Sequence, residues 1–142
     1  MSALAAAVAI VLLALAALHV YWGAGGVWPA QDEADLASRV VGTRGRPMPS
    51  FFSAALVAAA LAAAAWIVAV HAGAPRLGVP DLLWTIGLWS VFAVFLLRGV
   101  ASYTPVFDYA RGAPFYELNR LYYGPLCLAI ALALALIKTR AV

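Results

Sequence analysis

Four stretches of about twenty residues carry almost no charge, and they dictate what the chain can fold into. A helix needs about 20 apolar residues to cross a hydrocarbon core of about 30 Å. The stretches cover about residues 3–22, 51–71, 82–100 and 118–137, and each meets that length. Inside lipid there is no water to bond the backbone, so a crossing segment must satisfy its own N–H and C=O groups. Each stretch is therefore expected to be a helix. Composition agrees: 66% of the 142 residues are apolar and 11% charged, against roughly half and a quarter in a soluble domain. A chain this short cannot hide that much apolar surface in an aqueous core. The expected fold is all-α, a four-transmembrane-helix antiparallel bundle forming a single domain over residues 1–142.

The first stretch has no basic residue before it and exceeds the apolar length of a signal peptide, so it is expected to be a retained span. The connections are unequal. "GAGGVWPAQDEADLASRVVGTRGRPMPS" is long, and its "DEADLASRVV" has the makings of a short interfacial helix. "AGAPRLGVPD" is tight, and "ASYTPVFDYARGAPFYE" is again long. Threading puts the two long loops on one membrane face and both termini with the short loop on the other. The net charge of +3 comes almost wholly from arginine. A count of basic residues puts the long loops inside, but the C-terminal "KTR" reads as a stop-transfer flank and pulls the other way. The charges are scattered over separate loops, which excludes nucleic acid as a partner. The single cysteine, Cys127, permits no internal disulfide and no cysteine-based metal site.

The same threading gathers polar and aromatic side chains at the long-loop end. The residues expected to meet a ligand there are His19, Trp22, Trp28, Arg98, Tyr103, Glu117, Asn119, Arg120 and Tyr123. His19 and Trp22 are three apart and share a helix face, whereas Tyr21 points about 100° away. Glu117 and Arg120 are spaced for a local salt bridge. Pro125 has no N–H and frees the carbonyl of Leu121. Arg98 lies inside a span, where an arginine must snorkel, pair with Glu117 or Asp108, or hold an anion. His19 is open to a structural hydrogen bond, a proton-transfer role or metal ligation. His19 and His71 fall at opposite ends of their spans, so a bis-histidine haem within one chain is excluded. His19 with Met48 would require the first loop to fold back. No metal site and no cofactor is expected, and no phosphate loop or protease motif occurs.

Three motifs carry a resemblance. "LHVYWGAGGVWP" (residues 18–29), "FLLRGVASY" (95–103) and "FYELNRLYYGPLCLAI" (115–130) together resemble the bacterial four-helix membrane family known as domain of unknown function 3995. The resemblance implies a four-span bundle in the bacterial cytoplasmic membrane with both termini inside, which would place the long loops outside. It implies no activity and no catalytic residues. Three functions fit these residues. The first is binding of a small amphiphile (a lipid, isoprenoid or quinone-like molecule) at the long-loop end. The second is an enzyme acting on such a molecule with His19 or Glu117 as acid or base, and the third a non-catalytic subunit of a larger membrane complex. The expected partners are membrane lipids, such a ligand, and a second copy or a partner membrane subunit.

Overall fold

A computed structural model of the chain describes residues 3–140, except the side chains of 139 and 140. The side chain of Arg140, part of the basic flank noted above, thus lies outside the described residues. All the regular structure among them is helical. Four helices are long and apolar enough to cross a membrane: Ala3–Gly23, Phe51–His71, Asp81–Ala101 and Pro114–Lys138, as a multi-pass membrane protein requires. The first three are α1, α3 and α4, with a short helix α2 (Glu33–Val40) in the first long loop. The second long loop contains a 3-10 segment, Pro105–Ala110. The fourth crossing helix is composite: α5 (Pro114–Leu118), a π-helical turn (Asn119–Tyr123) and α6 (Gly124–Arg140).

The sequence places the start of this last span near residue 118, whereas the helix begins at Pro114. Proline suits the first helical position, because its fixed φ is already helical and its missing N–H would have had no partner there. Tyr116 and Glu117 therefore sit on a helix and not in a loop.

Small residues are frequent in the buried core, and many large apolar side chains face outward. On α1 the buried residues are Ala5, Val8, Ala9, Leu12 and Ala16, a stripe at helical spacing. The first four join Ala64, Ala65 and Val68 of α3, Leu88 of α4, and Ile130, Ala133, Leu134 and Ile137 of α6 in one cluster. Large apolar side chains such as Ile10, Leu13, Leu56, Leu83, Val94, Leu97 and Leu132 point outward. Water would penalise that arrangement, but lipid does not. Between helices in a bilayer, cohesion comes from close packing and hydrogen bonds, and small residues permit the close approach.

Four glycines mark the contacts. A Cβ on Gly23 would stand 2.9 Å from that of Ala54, and one on Gly87 would stand 3.1 Å from Ile67 Cδ1. On the other pair of helices, a Cβ on Gly99 would meet the Leu128 side chain at 2.6 Å. A Cβ on Gly124 would meet Ser102 Cβ at 2.7 Å. Both contacts between α4 and the last helix lie at the long-loop end, beside the polar residues described next.

Candidate functional site

The long-loop end separates into three groups of side chains. The first is internal. Arg98 comes from the last turn of α4, with Ser102 one turn on, and Asn119 opens the π turn. Arg98 Nη1 donates to Ser102 Oγ at 2.8 Å, and Nη2 donates to Asn119 Oδ1 at 2.7 Å. The Ser102 hydroxyl has two acceptors at 3.2 Å for its one proton, the Arg98 carbonyl and Asn119 Oδ1. Ser102 and Asn119 are almost completely buried. The guanidinium carbon of Arg98 lies 4.6 Å from the centre of the Phe107 ring, a cation–π contact. The arginine is thus held by neutral hydrogen-bond partners and an aromatic face.

This is a correction to the pairings inferred from spacing. Asp108 bonds Arg111 at 3.0 Å instead, and Glu117 is exposed, with no ion pair among the described residues. The reason lies in the π turn. The Gly124 N–H donates to the Asn119 carbonyl, five residues back, so the helix is locally wider than the 3.6-residue spacing assumes. Asn119 turns inward, while Arg120 stays exposed and donates through Nη1 to the Tyr116 hydroxyl at 3.1 Å. The register also moves the carbonyl left without a donor by Pro125. In five-residue spacing that carbonyl belongs to Arg120, and it accepts a bond from the Tyr103 hydroxyl at 3.0 Å. Arg120 lies near the faces of Tyr103 and Tyr116 and forms a second, exposed group with them.

The third group is a groove of about 210 Å³ between α1, α3 and the folded-back first loop. It is lined by His19 and Trp22 of α1, by Val40, Val41 and Met48 of the loop, and by Ser53, Ala54 and Val57 of α3. His19 and Trp22 meet edge to face with ring centres 5.5 Å apart. His19 Nδ1 lies 2.7 Å from the Leu15 carbonyl, which can only accept. The proton is therefore on Nδ1, and in the neutral ring Nε2 keeps its lone pair. Trp22 Nε1 donates to the Trp28 carbonyl at 2.8 Å, and the Trp28 N–H reaches the Tyr21 hydroxyl at 3.4 Å. A Cβ on Gly26 would run into the Tyr21 ring, so glycine there lets the chain turn back across it. Trp28 itself is exposed outside the groove. A second hollow of about 360 Å³ adjoins, sharing Trp22, Gly23, Met48 and Pro49.

Loop contacts close this end. Asp32 caps α2, accepting from the Asp35 N–H at 2.8 Å, and Glu33 Oε1 accepts from the Met48 N–H at 3.0 Å. The Asp35 carboxyl is held below the usual carboxylate range, chiefly by the hydrogen bond from Arg39 and then by the Gln31 N–H. Leu36 and Ala37 are fully buried beneath α2. Two tyrosines bind the loop to the rest: Tyr123 donates to the Arg39 carbonyl at 3.2 Å, and Tyr109 to the Val41 carbonyl at 3.0 Å. At Gly42, with φ +88, a Cβ would collide with Ala110 and Phe115, so only glycine allows this approach.

Of the residues singled out from sequence, His19 and Trp22 share the groove. Arg98 and Asn119 share the buried network, and Tyr103 and Arg120 the exposed group. Trp28 and Tyr123 fasten backbone segments, and Glu117 joins none of these. Ser102 carries no sequence expectation as a site residue, and Met48 stands out in the sequence only as a partner of His19 should the first loop fold back, as it does. Only the four-residue spacing from Arg98 pointed to Ser102, and nothing local announced that Met48 returns to His19. Among the described residues no group of three or more His, Cys, Asp or Glu is placed to hold a metal ion. Neither a curated protein nor a solved structure matches the chain. The family described as Protein of unknown function (DUF3995) matches residues 12–134, a span running from α1 into α6, and the chain belongs to that family.

Proposed function

We propose that the protein binds a small amphiphile from the bilayer, a lipid, isoprenoid or quinone-like molecule, in the groove between α1, α3 and the first loop. The observation that carries this reading is the groove itself, apolar along Val40, Val41, Ala54 and Val57 with one convergent polar ring, His19. Few well-placed polar groups in an apolar cleft are what an amphiphile's headgroup and tail ask for. At about 210 Å³ the groove is smaller than the roughly 300–1,000 Å³ of pockets that engulf a drug-sized ligand. It therefore takes one end of the molecule and leaves the tail in lipid. His19 Nε2 accepts a hydrogen bond from a hydroxyl at that end, and Trp22 packs against its apolar part. In this reading Arg98 and Asn119 fix the neighbouring helices and do not touch the ligand. The chain lies in a bacterial cytoplasmic membrane with the groove on the outer side.

The test is native mass spectrometry of amphiphiles retained by the purified protein. Val57→Trp fills the groove from the exposed side of α3, and His19→Leu removes the acceptor. Both variants should lose the retained molecule at least tenfold with an unchanged thermal transition. Retention equal to wild type in both would sink the reading.

A further inference from the structure

The opposite end of the bundle holds a hollow of about 390 Å³, lined by His71, Gly73 and Ala74 after α3, Arg76 and Asp81, Trp84 and Thr85 of α4, and Lys138 of α6. Four features give it a sign. Arg76 pairs with Asp81 through Nε at 2.9 Å, and no hydrogen bond among the described residues engages its two Nη groups. Lys138 has no carboxylate partner among the described residues. Thr85 brings a hydroxyl to the lining. His71 is committed through Nδ1 to the Ile67 carbonyl at 3.0 Å. The two cations and Asp81 leave one formal positive charge facing a hollow supplied with donors.

We infer that this hollow is a binding site for a phosphate oxyanion at the membrane surface, distinct from the groove at the long-loop end. Lys138 and the free face of Arg76 supply the charge, and the Thr85 hydroxyl of the lining supplies a directed hydrogen bond. Arginine's planar fork suits phosphate geometry, and lysine serves as a point charge. A single excess positive charge matches the single negative charge of a phosphodiester. The oxyanion comes either from a phospholipid headgroup or from soluble phosphate, and the two sources make different demands on the bilayer.

The experiment uses the full chain in maltoside micelles, with phosphatidylglycerol and inorganic phosphate as separate probes. Lys138→Gln removes one cation of the hollow, and Arg76→Gln removes the other. Phosphatidylglycerol retention is read by native mass spectrometry and phosphate binding by thermal shift. At least one probe should bind wild type and bind each variant at least tenfold more weakly. Binding of the lipid alone identifies a headgroup site, and a shift with phosphate alone identifies a soluble anion; either supports the inference. It is overturned if wild type binds neither probe, or if both variants bind as wild type does. Val57→Trp should leave this binding unchanged, which separates the site from the groove.

Discussion

An arginine inside a membrane span leaves a strong signature when its partners are taken away. Arg98 has two side-chain acceptors, Ser102 Oγ and Asn119 Oδ1, and Asn119 is 1% exposed. Asn119→Leu keeps the volume but removes the acceptor, leaving one arm of a partly buried charged group without its partner. Hydrogen bonds to charged groups contribute about 1.5–3 kcal/mol, and a loss of that order is expected in thermal unfolding of the purified protein. Arg98→Met also removes the network but strands no charge. The double variant should therefore be more stable than the sum of the single losses predicts, because a buried pair removed whole costs less than one broken in half. Strict additivity would mean that Arg98 and Asn119 do not act together. The Asn119 Nδ2 group has no partner among the described residues, so the orientation of this amide is set by the arginine on its oxygen.

At the level of elements, α2 is a short helix of eight residues, too short to persist alone in water. It is held by its cap, by the burial of Leu36 and Ala37, and by the tyrosines that bond its C-terminal carbonyls. Asp32→Ala should loosen it, since such a cap is worth about 1 kcal/mol. Acid should do the same. The Asp35 carboxyl sits below its ordinary range because Arg39 and Gln31 bond the charged form. Its contribution is thus present above the unfolded value of about 3.9 and lost as pH falls through the folded one. A nitroxide at the exposed Ala34, with Cys127 replaced by alanine, should gain mobility on acidification and at neutral pH in the Asp32→Ala variant. A spectrum indifferent to both would show that the cap does not hold α2. The "DEADLASRVV" run made this helix legible from sequence, because the Asp32 cap and the charge pattern are local. The π turn was not legible. Residues 114–123 fit ordinary helical spacing equally well, and only packing against Gly99 and Ser102 selects the wider register that buries Asn119 and exposes Arg120.

For the whole molecule, bilayer thickness is a one-dimensional constraint, so length and apolarity mark the spans: 51–71 is expected and Phe51–His71 is found, while the last helix begins at Pro114, ahead of the expected 118. Side-chain contacts join the end of α4 to the start of the last helix, and the end of α1 to the start of α3. What threading could not supply was the pairing within the long-loop end, because the return of the first loop onto α1 and α3 depends on contacts such as Gly42 against Phe115, far apart in sequence. Orientation is harder still, since it depends on the membrane and not on the packing. The basic residues of the long loops favour the inside, while the family resemblance implies the outside. Two single-cysteine variants in a Cys127→Ala background resolve the conflict: Arg46→Cys in the first long loop, and Leu77→Cys in the short one. Both positions are exposed. With a membrane-impermeant maleimide on intact cells, position 46 should be labelled and position 77 should react only after lysis. The reverse pattern would invert the protein and turn the groove inward. Identical behaviour at both positions would contradict an odd number of crossings between them, and with it the reading of Phe51–His71 as a membrane span.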